Sequence, residues 1–260
     1  MPSDEARVIR QQIKARIAEI EAFTARIERI LAQTIHDIAR GVENFSSDQT
    51  VEKIAFVSKL FDRADELGLS VEIEKLKALY ASEIKFIKET LSRSGVEAKF
   101  TDIDKALIQQ LVTFDAEKVT NKIREYGISV QGQLTNSVVA GVAPDVNALI
   151  GDRLKSTAGN IATELNTAAS GFARSVVAQK AIEAGFDLYE YIGPFDSLTR
   201  DFCQMVLDRS PPIYTLDEIS GLQSEQGQGL DVLVYGGGYN CRHQWRPISE
   251  EDARLEGWEP

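Results

Sequence analysis

The sequence predicts a mainly α-helical chain: an elongated helical bundle led by a long N-terminal helix, then a small irregular α+β module. Three observations carry this reading. Apolar residues recur at steps of three and four over residues 4–42. Glycines and capping patterns punctuate further helical runs as far as about residue 185. Beyond Gly185 an alternating aromatic stretch and Gly- and Pro-rich turns replace that periodicity.

In the first run Ile9, Ile13, Ile17, Ile20, Phe23, Ile27, Ile30, Leu31, Ile35 and Ile38 fall on one face, with Arg, Lys, Glu and Gln between them. At 1.5 Å per residue such a helix spans about 60 Å. It suits either a helix packed within a bundle or an arm, over residues 1–45, that packs on a partner. Ser46 with Gln49 forms a capping-box pattern ahead of a helix over 48–67, which Gly68 closes. Another helix is expected over 71–93, closing at Gly95. Thr101 with Asp104 opens a fourth that ends near Gly127. Residues 128–144, Val-rich but interrupted by Gly132, Gly141 and Pro144, read equally as a short helix or a turn. From Asp145 to about residue 184 the helical pattern resumes, with Leu149, Leu154, Ile161, Leu165 and Phe172 among many small residues. Gly159 and Gly171 each weaken that helix by about 1 kcal/mol relative to alanine, so close packing or a break is expected there.

Residues 186–192 alternate and are aromatic, as a short strand is. Gly193-Pro194 makes a turn, and Asp196 is placed to cap a short helix running to about Leu207. Pro211-Pro212 breaks it. Ile213 and Tyr214 read as extended, and Thr215 with Glu218 forms a second capping box. A Gly- and Gln-rich loop over 221–229, a strand over 232–235 and a last small helix opened by Ser249 and Asp252 complete the chain. The expected division is a helical body, 1–185, and a Cys-containing module, 186–260.

Composition narrows the function classes. Of 260 residues, 43% are hydrophobic and 27% charged, ordinary for a chain that packs a core. No run approaches the roughly 18–20 consecutive apolar residues of a membrane span, and the opening Met-Pro-Ser-Asp-Glu lacks the apolar segment of a secretory signal. The net charge of −11 argues against a general nucleic-acid coat, because duplex binding relies on Lys and Arg neutralising phosphates. A local basic face is not excluded by net charge, so DNA contact is left open though not indicated. Residues 191–260 hold 12 acids and 5 bases, all five of them Arg.

Both cysteines lie in that segment, too few for a disulfide-built scaffold. Two clusters stand out. The first is Asp196-x-x-Thr199-Arg200-x-x-Cys203, the second Tyr239-Asn240-Cys241-Arg242-His243-x-Trp245-x-Pro247. On a helix, Asp196 and Arg200 would pair four residues apart, with Cys203 a turn further along. Cys241 and His243, two apart in an extended segment, would point to one side. Cys203, Cys241 and His243 are suitable ligand types for zinc, with Asp196, Asp201 or water as the fourth. The main reading is nonetheless two reduced thiols packed in a small core, with His243 hydrogen-bonded nearby and no cofactor; zinc and a Cys203–Cys241 disulfide, the latter adding about 3.5–4 kcal/mol through loop closure, are the alternatives. Gly236-Gly237-Gly238 lacks the Lys-Ser/Thr of a phosphate loop and reads as a turn. Arg200 and Arg242 read chiefly as partners of acids such as Asp196. His36 reads as a bundle or interface residue, and Trp245 and Trp258 as anchors of the tail. A Cys203–His243–Asp196 hydrolase arrangement is the enzymatic alternative; no nucleophile elbow accompanies it.

A tyrosine and glycine leading into D-x-x-T-R-x-x-C, then a variable loop and N-C-R-x-x-x-x-P, resembles the C-terminal signature of the phage Mu F-like minor head protein (head morphogenesis) family. The residues that carry it are Tyr191, Gly193, Asp196, Thr199, Arg200, Cys203, Asn240, Cys241, Arg242 and Pro247. It covers roughly residues 160–250, with the helical stretch 166–181 included. The chain departs from the common pattern in lacking a second Cys soon after Cys203 and in having His243 where a final Cys would stand. The resemblance implies a non-enzymatic structural protein of the virion head, assembled in the host cytoplasm. Its partners would be the portal, the major capsid protein or both, with several copies per head or a homo-oligomer. A neck or connector adaptor in a portal-bound ring is the alternative within the same particle.

Overall fold

The apolar stripe of the first forty residues becomes one continuous helix, α1 (Asp4–Glu43), whose Ile9, Ile13, Ile20, Phe23, Ile27, Leu31, Ile35 and Ile38 are all buried. Ile17 and Ile30, at the edge of the stripe, are half-buried, and His36 is exposed. The structure, a computed structural model, describes residues 4–97, 100–226 and 229–260. The chain is mainly α, with one small sheet near its C-terminal end. No helix among the described residues is long and apolar enough to cross a membrane.

Two compact units are each assembled from separated segments, because the long helices contribute to both. Unit 1 comprises Met1–Glu19, Ala78–Leu107 and Thr163–Pro260; unit 2 comprises Ile20–Lys77 and Ile108–Ala162.

Unit 2 holds most of the helical departures from expectation. The helix expected over 48–67 is two helices, α2 (Thr50–Val57) and α3 (Leu60–Glu66), followed by a left-handed Gly68. The break at Ser58 and Lys59 leaves the Val57 carbonyl to accept from the Gln131 side chain at 3.4 Å. Ser46 N–H does donate to Gln49 Oε1 at 3.0 Å, but the helix begins only at Thr50, so this pairing closes a turn instead of capping a helix. The run expected from 71 begins as α4 (Leu69–Glu74) and continues as α5 (Leu76–Arg93), closing at a positive-φ Gly95 as read from the sequence.

The helix expected to stop near Gly127 does not stop. Here α6 (Asp102–Ala140) runs through Gly127 and Gly132 and ends at Gly141, whose φ is +67°. The Asp104 side chain, half of the expected start signal, lies outside the described side chains. Gly127 is kept for room: a β-carbon there would meet the Phe61 ring at 2.5 Å. At Gly132 nothing lies within 4 Å. The two sites predict opposite outcomes. Gly132→Ala should raise stability by up to about 1 kcal/mol through helix propensity. Gly127→Ala should lower it by about 1–3 kcal/mol, because overpacking against the half-buried Phe61 ring outweighs that gain. Urea midpoints of the two variants against the parent check this; equal signs would contradict it. Next come α7 (Val146–Ile150), capped by Asp145 through Ala148 N–H at 3.0 Å, and α8 (Asp152–Glu183). Tyr126 O–H donates to the Leu149 carbonyl at 2.8 Å and ties α6 to α7.

Unit 1 contains the sheet. Strands β1 (Leu188–Ile192), β2 (Ile213–Thr215) and β3 (Gln244–Ile248) are antiparallel in the order β2-β1-β3, with Tyr191 opposite Trp245 and Tyr189 opposite Pro247. Pro247 sits on an outer strand, where a missing N–H is tolerated. All five residues of β1 are buried, so the alternation read from 186–192 does not mark one wet face. Glu190 is accommodated by Arg246, whose Nε donates at 2.8 Å, with both side chains buried. Burial still pushes the Glu190 carboxyl above the usual range, opposed by that guanidinium.

Between the strands lie α9 (Asp201–Asp208), α10 (Leu216–Gly221) and α11 (Val232–Tyr235), and α12 (Glu250–Leu255) closes the chain. The capping box of Thr215 and Glu218 is present in full, and Ser249 accepts from Asp252 N–H as expected. The strand expected at 232–235 is instead the helix α11, because Asp231 accepts from Leu233 N–H at 2.9 Å and starts a turn. Trp258 packs with Leu188, Ile213, Ile248 and Ala253, which anchors the tail.

Candidate functional site

The two sequence clusters meet within unit 1 around a buried group of donor atoms. Cys203 projects from the first turn of α9, while Cys241 and His243 come from the segment leading into β3. The two Sγ atoms are 3.9 Å apart, and Cys241 Sγ lies 3.7 Å from His243 Nδ1. All three residues are buried, and their donor atoms lie within 4.8 Å of one another. Both cysteines are free. Tyr191 of β1 adds a hydroxyl 3.4 Å from Cys203 Sγ and 3.6 Å from Cys241 Sγ.

Each side chain is held from outside. His243 Nε2 lies 3.0 Å from the Pro194 carbonyl. A carbonyl can only accept, so Nε2 carries a proton, and Nδ1 faces Cys241. The His243 ring packs over Gly193, where a β-carbon would come within 2.1 Å of it; the glycine read as a turn residue is therefore also a space requirement. Tyr191 stacks on His243, with ring centroids 5.1 Å apart and planes at 12°, and meets Trp245 at 4.4 Å. Trp245 Nε1–H donates to the Val232 carbonyl at 3.0 Å.

Asp196 behaves differently from the expectation. The helix begins at Asp201, and Arg200 precedes it in extended conformation, so Asp196 and Arg200 are not a helical pair. Asp196 instead closes a turn, accepting from Leu198 N–H at 2.9 Å, while its own N–H donates to Thr199 Oγ1 at 2.9 Å. Its carboxylate then takes a two-pronged bond from Arg242, at 2.8 and 2.5 Å. That guanidinium holds the Asp196 carboxyl well below the usual carboxylate range. Arg200 reaches the Gly237 carbonyl at 3.4 Å. Asn240, left-handed at φ +57°, donates its N–H to Thr167 Oγ1 at 2.8 Å, and its side chain bonds Asn166. The motif residues of the first block are thus fastened to those of the second, and the second to α8.

Sequence reasoning missed two participants. Tyr191 was read as a strand aromatic; its place in the motif beside Gly193 is the signal that could have drawn attention to its hydroxyl. Arg174, on α8, is 2% exposed and was not singled out. Its guanidinium donates to the carbonyls of Val234 at 2.6 Å, Tyr235 at 3.3 Å, Cys241 at 3.4 Å and His243 at 2.8 Å. Asp196, engaged by Arg242, and Asp201, exposed on α9, are not part of the donor group, so neither is the fourth ligand that the spacing suggested.

The electrostatics favour one anionic sulfur. Cys241 is pushed well below the usual thiol range, chiefly by a hydrogen bond from Cys203, with help from His243 and the charge of Arg174. Gly237 N–H also donates to its Sγ at 3.2 Å. Cys203 is pushed up by the same bond and by burial, so it is the thiol that donates. Burial pushes the Tyr191 hydroxyl up as well. The class of site is therefore a buried two-cysteine, one-histidine donor group beside a buried guanidinium. The hydrolase arrangement is not assembled: Asp196 faces Arg242, and His243 is oriented by Pro194.

No protein-family model, curated protein or solved structure matches the chain.

Proposed function

We propose that this chain is a minor structural protein of a tailed-phage head, docked at the portal or inner capsid and assisting head assembly or genome packaging. The observation that supports it is the meeting of the two motif blocks on which the resemblance to Mu F-like proteins rests. They are separated by a long variable loop, yet Asp196 with Arg242, Arg200 with Gly237 and Cys203 with Cys241 join them pairwise. Residues whose only shared property is membership in that motif also share one location, which a chance match of spacing does not require.

Within this reading the C-terminal module is a folded clamp closed by a structural zinc ion on Cys203, Cys241 and His243. The donor chemistry fits. Tetrahedral zinc with bonds of about 2.3 Å to sulfur places two thiolates about 3.8 Å apart, against the 3.9 Å found. His243 meets the further requirement that a ligating imidazole give its other N–H to a fixed acceptor, here Pro194. The zinc would join α9 to the segment before β3, and Arg242 with Asp196 would shield its edge.

Quantitative mass spectrometry of purified particles, filled and empty, tests the assignment through this protein's copy number relative to portal. A reproducible low stoichiometry is expected. A count matching the portal ring would move the assignment to a neck or connector adaptor. Absence from both kinds of particle would overturn the structural reading.

A further inference from the structure

We infer that Tyr191 is the fourth ligand of the metal site, which makes it a two-cysteine, histidine and tyrosinate centre. This deepens the zinc reading above and rests on it.

Four donor atoms cluster here: Cys203 Sγ, Cys241 Sγ, His243 Nδ1 and Tyr191 Oη. A tetrahedral ion with bonds of about 2.3 Å to sulfur and about 2.0 Å to oxygen or nitrogen places sulfur about 3.5 Å from each lighter donor. Tyr191 Oη is 3.4 Å from Cys203 Sγ and 3.6 Å from Cys241 Sγ, and His243 Nδ1 is 3.7 Å from Cys241 Sγ. The hydroxyl thus bridges both sulfurs instead of favouring one, as a corner of the same tetrahedron would. Neither carboxylate that the sequence offered is part of the group, since Asp196 is held by Arg242 and Asp201 is exposed. The tyrosine is also prevented from swinging away, by His243 on one ring face and Trp245 beside it.

Charge supplies an independent argument. A divalent zinc with two thiolates, a neutral imidazole and one phenolate carries a net −1. Such a centre, buried, needs a cation close by. Arg174 is that cation. Its hydrogen bonds among the described residues all go to carbonyls, two of them those of the ligands Cys241 and His243. A β-carbon built on Gly236 would lie 3.0 Å from Cys241 Sγ and 3.5 Å from Arg174 Cζ, so guanidinium and sulfur face the same stretch of backbone. A water as fourth ligand would leave the centre neutral and Arg174 without a counter-charge. On ligation the Tyr191 O–H and Cys203 S–H bonds break, oxygen–zinc and sulfur–zinc bonds form, and both protons leave to solvent; no electrons are transferred.

The test uses the full chain, reduced and stripped of metal, titrated with Zn(II) and separately with Co(II). The parent should develop the ultraviolet difference band of tyrosinate as Zn(II) binds. Tyr191→Phe, which keeps the ring and its stacking, should lose that band. It should also release one proton fewer per ion, measured calorimetrically in buffers of different ionisation enthalpy, and bind Co(II) at least tenfold more weakly with an altered visible spectrum. A parent that binds neither ion removes the zinc reading and this inference with it. A parent that binds without a tyrosinate band, matched by Tyr191→Phe in affinity and proton count, leaves the zinc reading standing and overturns the assignment of Tyr191. Circular dichroism of the metal-free variant, unchanged from the parent, verifies that the substitution has not unfolded the module.

Discussion

Arg174→Met is expected to destabilise unit 1 by about 3–5 kcal/mol, the cost of leaving buried hydrogen-bonding groups and their charge balance without the central partner. Four carbonyls lose a charged donor at once, and each orphaned acceptor alone costs about 1–3 kcal/mol when water cannot reach it. Relief from the cost of burying a guanidinium offsets part of the loss, which is why the simple sum is not expected. Val234 and Tyr235 end the one-turn helix α11 and Cys241 and His243 precede β3, so no continuing helix replaces the bonds; among the described residues only the Tyr235 carbonyl keeps a backbone donor, Gly238 N–H at 3.0 Å. Both tryptophans, Trp245 and Trp258, are buried in this unit, and their fluorescence during urea unfolding reads the effect directly. Arg174→Lys should fall between the parent and the methionine variant, since a point charge cannot serve four acceptors as a planar fork does. A loss below about 1 kcal/mol for Arg174→Met would show that Arg174 does not organise the module.

Zinc should stabilise the reduced protein by about 4 kcal/mol when free metal reaches a thousand times its dissociation constant. For a unit of this size that corresponds to a rise in melting temperature on the order of 10 °C. The effect should disappear with a chelator and in Cys203→Ser, Cys241→Ser and His243→Ala. It should also fade on acidification, because the ligands bind only when deprotonated and protons then compete with the metal. A melt indifferent to zinc but raised by oxidation would instead assign the cysteines to a disulfide, which requires the sulfurs to close from 3.9 Å to about 2.05 Å. A melt indifferent to both would leave two packed thiols.

The helices of the body were legible where a signal was local and repeated. The stripe of α1, the Gly68, Gly95 and Gly185 stops and the capping box of Thr215 depend on neighbours within a turn or two, and each stands where expected. Gly127 misled because the sequence cannot say whether a glycine is present for its backbone freedom or for the space it leaves; here Phe61, 66 positions away, decides. The strand expected over 232–235 failed for a different reason, the cap that Asp231 supplies. That cap starts a helical turn in a Val- and Leu-rich stretch that by composition reads as a strand.

The candidate site divides along the same line. Residue types and spacing alone singled out Cys203, Cys241 and His243, and placed Cys241 and His243 on one side, because those relations are short-range. The helical pairing of Asp196 with Arg200 was misread from the same spacing logic, whereas Arg242, also expected to pair with an acid such as Asp196, does so. A carboxylate four residues from an arginine pairs with it only if the helix has already begun, and here it begins at Asp201. What the sequence by itself determined is the helical class, the long amphipathic first helix, the change of character after residue 185 and the identity of the two motif blocks. The tertiary structure alone decided that these blocks face each other, that Arg174 binds four carbonyls between them and that Tyr191 completes the donor group. The physical reason is one of range. Helix periodicity and capping are fixed by atoms a few residues apart. The meeting of Cys203 with Cys241, Tyr191 with both, and Arg174 with the loop before β3 depends on how far burial can draw distant segments together, and the one-dimensional pattern of a chain carries no measure of that.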